Sequence, residues 1–163
     1  MKLKYMVTGV LFMAITSAFA NTNNEYINAP IDTIFGQGEI NPFSKYFTGR
    51  SYLQEMYDGS DVYKAPISNV TFEPCTRTDW HYHTGGQILM VVAGEGRFQF
   101  KKDAQPRIIK KGDVIRIAPN QIHWHGAGLN TWMSHVTLIQ NLPNETVWLD
   151  KVTDEEFSAE PAK

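Results

Sequence analysis

Cysteine is almost missing from this chain: Cys75 stands alone among 163 residues. One thiol cannot close an internal disulfide, and a structural thiolate zinc site needs more than one cysteine. An inert or buried thiol is the default reading of Cys75, ahead of a catalytic one. An excess of positive charge is also lacking. Fifteen Lys and Arg face 17 Asp and Glu, for a formal charge of −2, and no basic stripe runs along the chain. That balance excludes nucleic acid as a partner. The Lys101-Lys102 and Lys110-Lys111 pairs read as solvated strand ends. Internal repeats and low-complexity tracts are missing as well.

What is present suits one folded domain. The length leaves no room for two full cores, and 42% apolar with 12% aromatic residues is enough to bury one. Residues 1–20 are a different kind of sequence. Lys2 and Lys4 give a positive start, residues 5–15 are mostly apolar and uncharged, and Ala18-Phe19-Ala20 offers small residues at the two positions a signal peptidase reads. The apolar run falls short of the roughly 20 residues that span a bilayer. The expectation is a signal peptide cleaved after Ala20. The mature chain is then periplasmic or secreted, begins at Asn21, carries 13 basic against 17 acidic residues, and has no stable membrane insertion. An exported protein without a disulfide must fold on its core alone.

Residues 21–45 are polar, Asn-rich at first and without sustained periodicity, and read as an N-terminal arm. After them comes a run of short β-forming segments divided by turn residues. Residues 46–57 hold a first strand or two, and Asp58-Gly59-Ser60-Asp61 is a turn cluster. Residues 69–72 form a strand that Pro74 ends. Residues 87–93 form an apolar strand closed by Gly94-Glu95-Gly96, with 97–100 as the return strand of a hairpin. Short strands follow at 107–109 and 114–117, on either side of a turn at Lys111-Gly112-Asp113, and another spans 132–139. Asp154-Glu155-Glu156-Phe157 reads as a helical turn with Thr153 as its N-cap, and 158–163 as a loose tail. The class is all-β, a sandwich or an antiparallel barrel.

All five histidines lie between positions 81 and 135. His81 and His83 are two apart, so on a strand both side chains face the same side. His123 and His125 repeat the spacing on a second strand. A barrel wall turns alternate residues inward, so the two pairs can converge inside one barrel. Neutral imidazole is the commonest side-chain metal ligand. A nitrogen and oxygen donor set with open positions fits Mn, Fe, Ni, Co or Zn better than soft Cu(I). A lone histidine is usually a surface or hydrogen-bonded residue; two same-facing pairs are hard to explain that way.

His81-Tyr82-His83-Thr84-Gly85-Gly86-Gln87, followed after Val91-Val92-Ala93 by Gly94, resembles the first cupin motif. The interval from Gly112 to His123 has the spacing of the second. The resemblance covers about residues 62–142. It departs from the family pattern at Cys75 and Gln121, which stand where glycines are usual, at Pro119, shifted by one place, and at Gln87, where a glutamate ligand is usual. The wider pattern is similar to the bacterial cupin hydroxynitrile lyases, the (R)-mandelonitrile lyase-like group. It comprises Val70-Thr71-Phe72-Glu73-Pro74, Arg77-Thr78-Asp79-Trp80-His81, His123-Trp124-His125-Gly126-Ala127 and Met133-Ser134-His135. Phe47-Thr48-Gly49 and Val152-Thr153-Asp154-Glu155 extend it to about 46–157. Near the place of one polar residue lining that group's pocket stands Ile139, with Gln140 one residue on.

The resemblance implies a small single-domain cupin, a jelly-roll-like antiparallel β-barrel over residues 46–157, with the N-terminal arm and the C-terminal helical turn attached. It implies one divalent transition metal, manganese before Fe, Ni, Co or Zn, on His81, His83, Gln87 and His123. It places His125 and His135 as candidate catalytic proton shuttles, and it implies a small-molecule substrate and a homo-oligomer. Gln87 is a neutral donor, so the site holds one more unit of positive charge than with glutamate; the metal is then a stronger Lewis acid and is less easily oxidised. The implied reaction is cleavage of a cyanohydrin to an aldehyde plus HCN. The rivals are another metal-dependent reaction on the same scaffold (dioxygenase, isomerase or decarboxylase) and a non-catalytic small-molecule-binding cupin. Trp80, Trp124, Trp132 and Phe72 either wall an aryl pocket or, the simpler reading, pack the core.

Overall fold

The computed structural model describes residues 31–139 and 144–162. The expected signal at 1–20, the first part of the arm and Gln140 lie outside the described residues. The elements among the described residues run β1 (Glu39–Ile40), a 3-10 turn (Ser44–Tyr46), β2 (Phe47–Thr48), β3 (Ser51–Tyr57), β4 (Ile67–Phe72), β5 (Arg77–Thr78), β6 (His81–His83), β7 (Gln87–Phe100), β8 (Arg107–Lys110), β9 (Val114–Ile117), β10 (His123–Ala127), β11 (Met133–Ile139), β12 (Thr146–Trp148) and a short helix α1 (Asp154–Ser158).

Among the described residues every strand pairing is antiparallel. The strands follow the order β1-β3-β4-β11-β7-β10-β5-β2, with β8 and β9 also on β7, β6 on β10, and β12 on β6. The sheet curls into the expected all-β barrel. Alternation sets its two faces. Val70 and Phe72 on β4, Leu89 and Val91 on β7, Ile115 and Ile117 on β9, and Met133 on β11 form one buried cluster with Phe98, Ile109 and Ala127. Each large side chain of this cluster contributes about 1.5–3 kcal/mol by leaving water.

The hairpin expected at residues 87–100 is not there. Gly94-Glu95-Gly96 has the composition of a turn, yet β7 runs through it as one strand of 14 residues. Its first half pairs with β11 and β9 and its second half with β10 and β8, so this strand joins the two halves of the barrel. The glycine serves a bend rather than a reversal. Gly94 has φ of 68°, and a Cβ there would lie 2.0 Å from the Trp132 carbonyl oxygen, so only glycine lets β11 approach so closely.

At the far end the expected cap is present. Thr153 Oγ1 accepts from the Glu156 N–H at 3.1 Å, and Glu156 Oε2 accepts from the Thr153 N–H at 3.0 Å, a capping box. Two buried arginines tie α1 to the barrel. Arg97 donates to the carbonyls of Phe157 and Ala159, and Arg77 to that of Val152 and to Asp154. Beyond α1, the Ala162 N–H donates to the Pro106 carbonyl at 2.8 Å.

Candidate metal centre

Strand alternation turns both His81 and His83 inward from β6. His123 on β10 lies directly opposite His81, and their ring centroids are 4.2 Å apart. One ligand nitrogen from each of His81, His83 and His123 lies within 4.8 Å of the others, and all three residues are buried. The trio could hold a metal ion.

Backbone and hydroxyl groups decide which nitrogen of each ring faces inward. Backbone carbonyls only accept, so His81 donates from Nδ1 to the Asp79 carbonyl at 2.9 Å. His123 likewise donates from Nδ1 to the Gln121 carbonyl at 2.8 Å. In a neutral imidazole this leaves Nε2 as a bare lone pair. His83 has its Nδ1 3.0 Å from Thr146 Oγ1, and its Nε2 is buried with no partner. This is the outer support expected of metal-ligating histidines.

Gln87, the first residue of β7, completes the arrangement. Its Nε2 donates to Thr137 Oγ1 at 2.9 Å, and its Oε1 lies 3.2 Å from His123 Nε2. Since His123 Nδ1 holds the proton, two acceptors face one another there. Protonating the ring would relieve the repulsion, but burial pushes His123 down to about 3. A cation shared between the two lone pairs relieves it instead. Together with the orphaned His83 nitrogen, this contact is compatible with a metal ion at the trio.

Burial keeps the other imidazoles neutral too. It pushes His83 and His135 down to about 4. His81 and His125 are held well below the ordinary histidine value, first by burial and then by neighbouring histidines. His125 lies beside the trio, 5.4 Å from His81 and 5.9 Å from His123 between ring centroids. His135 on β11 packs edge-on to His125 at 4.8 Å. Nδ1 of His125 and both nitrogens of His135 are buried without a partner. All five histidines therefore meet in one region, together with Gln87, the Thr137 that bonds it and the Thr146 that bonds His83.

A cavity of about 200 Å³ opens onto His81, His83, Gln87, His125 and His135. Its apolar wall is Phe43, Phe47, Leu53, Val70, Ile139 and Trp148. The three tryptophans weighed from the sequence are not part of it. Trp80 and Trp124 pack with Val152 and Phe157 in a second cluster behind β10, and Trp132 stacks on Tyr52. Phe72 lies under the rings of His125 and His135 within the main core. The wall tryptophan is Trp148, which stands opposite His81 in the β6–β12 pairing, 4.8 Å from its ring, and stacks on Tyr46 at 4.5 Å. Its location follows from a three-residue strand that carries no periodicity of its own.

The sequence profile of the cupin domain family matches residues 68–131. Over 113 residues the chain is 38% identical to (R)-mandelonitrile lyase of Granulicella tundricola, a span of 69% of this chain and 86% of that protein. The chain belongs to the cupin superfamily. Among solved structures, a cupin-like protein from Thermotoga maritima superposes with a TM-score of 0.73 at 38% identity, covering 77% of this chain and 95% of that one. A DMSP lyase from Ruegeria pomeroyi shares the fold at a TM-score of 0.52 and 17% identity, over 71% of this chain and 56% of its own. Cys75, where cupins usually have glycine, has φ of 64°. The backbone thus keeps the left-handed turn that the family's glycine suits.

Proposed function

We propose that this cupin is a metal-dependent lyase that cleaves a cyanohydrin to an aldehyde plus HCN, and forms it in reverse, with (R) selectivity. The observation that carries this reading is the meeting, at one apolar cavity, of a neutral metal-binding set with two further buried, unpartnered imidazoles. The 38% identity to a mandelonitrile lyase supports the same chemistry. His81, His83, His123 and the Gln87 amide oxygen hold the ion, manganese first, with Fe, Ni, Co or Zn compatible with the donors. Once bound, such an ion supplies Lewis acidity toward the substrate hydroxyl. Gln87 adds no negative charge, so the site favours an oxygen that is becoming anionic.

The other roles fall to the chain's own groups. The hydroxyl must give up its proton as the carbon–carbon bond breaks and cyanide leaves with the bonding pair. His125 or His135, neutral at working pH, accepts that proton and passes it to cyanide, releasing HCN. Phe43, Phe47, Leu53, Val70, Ile139 and Trp148 enclose the apolar part of the substrate and exclude water. By this proposal the enzyme is exported to the periplasm or beyond and acts on a small molecule as a homo-oligomer.

The experiment is cleavage of racemic mandelonitrile, followed as benzaldehyde and cyanide release with chiral analysis of the remainder. It is run on protein stripped by chelator and then reloaded with each of the five metals. Release that depends on metal and consumes one enantiomer supports the proposal. No release with any of the metals overturns the lyase reading.

A further inference from the structure

We infer that Thr137 is a positioning residue that fixes which end of the Gln87 amide is presented to the metal. The inference rests on the reading above that Gln87 Oε1 is a ligand. A primary amide has unlike ends. The oxygen carries free lone pairs, while the nitrogen has two N–H donors and no lone pair to offer a cation. Gln87 can therefore serve only with Oε1 inward. Nothing in its own backbone position imposes that choice.

The neighbouring groups make the reversed amide a real competitor. His123 Nδ1 donates to the Gln121 carbonyl, so His123 Nε2 is an acceptor when no ion is bound. It lies 3.2 Å from the Gln87 amide. An amide turned by 180° would donate an N–H to that nitrogen and so occupy the lone pair the ion needs. The opposing pull is Thr137. Its Oγ1 accepts from Gln87 Nε2 at 2.9 Å, and both residues are buried. The register aims the threonine: Ile139 pairs with Gln87 and Thr137 with Leu89, so Thr137 is the next inward-facing residue along β11.

Valine has nearly the shape of threonine without the acceptor. In Thr137→Val the acceptor that holds the amide nitrogen away from the trio is gone, and the reversed amide, donating to His123 Nε2, wins. A carboxylate has two equivalent oxygens and needs no such guidance. The effect of Thr137 on metal binding should therefore depend on there being an amide at position 87.

The test is calorimetric titration of the metal-free full-length chain with Mn²⁺, with circular dichroism to show that each variant is folded. Thr137→Val should weaken Mn²⁺ binding about tenfold or more, the usual scale for an outer support of a metal ligand, and Thr137→Ser should restore it. With Q87E already in place, Thr137→Val should change affinity by less than about threefold, because either carboxylate oxygen can face the ion. Equal weakening in both backgrounds would mean a general structural role and would overturn the inference. So would unchanged binding in Thr137→Val while Gln87→Ala binds weakly; that result leaves Gln87 as a ligand. Unchanged binding in Gln87→Ala would instead overturn the ligand reading itself, and this inference with it.

Discussion

Acid should unfold the metal-free protein near pH 5, and its histidines determine the midpoint. In the unfolded chain an imidazole titrates at its ordinary 6.5. In the folded chain burial holds His83 and His135 to about 4 and His123 to about 3. At pH 7 an unfolded imidazole is only about one quarter protonated and a folded one is neutral, so these sites cost little stability there. Below 6.5 the unfolded chain binds protons that the folded chain refuses, so stability falls as pH falls, until the folded values are reached. Linkage gives about 2 kcal/mol lost per histidine by pH 5, or about 6 kcal/mol for the three. His81 and His125, held well below the ordinary value first by burial and then by neighbouring histidines, act in the same direction. A domain of this kind holds only about 5–15 kcal/mol. Urea denaturation of the metal-free protein, followed by circular dichroism from pH 7 to 4.5, should show stability falling with an uptake of three to five protons. Metal loading should move the transition to lower pH, since an ion occupies the same nitrogens. Stability of the metal-free chain that stays flat between pH 7 and 4.5 would refute the claim that these imidazoles are buried and neutral.

Gln87→Glu should keep the metal but lower the rate of cyanohydrin cleavage, because the carboxylate cancels one unit of the charge that draws electrons from the substrate; metal analysis and turnover on one batch check this. His125→Ala and His135→Ala should both retain metal, and at least one should lose about 100-fold or more in turnover, the scale of general acid–base help. If both keep full turnover on every substrate found, neither moves the proton and the binding-protein alternative gains. Protein from the envelope fraction of the host should begin at Asn21 by N-terminal sequencing; functional protein that starts at Met1 would contradict export with cleavage.

Much of the site could be read from residue spacing, and what could not be read depended on distant contacts. His81 and His83 are inward because a strand repeats every two residues, and the same rule places His123 and His125. Thr153 directly precedes an acidic helical turn, so the N-cap was equally legible; the return bond from Glu156 came with the structure. Gly94-Glu95-Gly96 misled for a physical reason. Glycine marks a reversal and a close approach with the same letter, and only the Trp132 carbonyl pressed against Gly94 tells them apart. Trp148, Thr146 and Thr137 were missed because their roles come from partners 50 or more residues away, as in the contacts of Thr146 with His83 and Thr137 with Gln87. No local pattern distinguishes those two threonines from any others in a strand. Trp80 and Trp124 adjoin His81 and His123 in sequence, and alternation sends them to the opposite face.

The central claim is that His81, His83 and His123 hold one divalent ion. Its most direct test is elemental analysis of the protein purified from its own host beside His81→Ala and His123→Ala purified in the same way. The account predicts one transition-metal ion per chain in the parent and none held stoichiometrically in either variant. Full occupancy in a variant, or a parent that carries no ion, would contradict it.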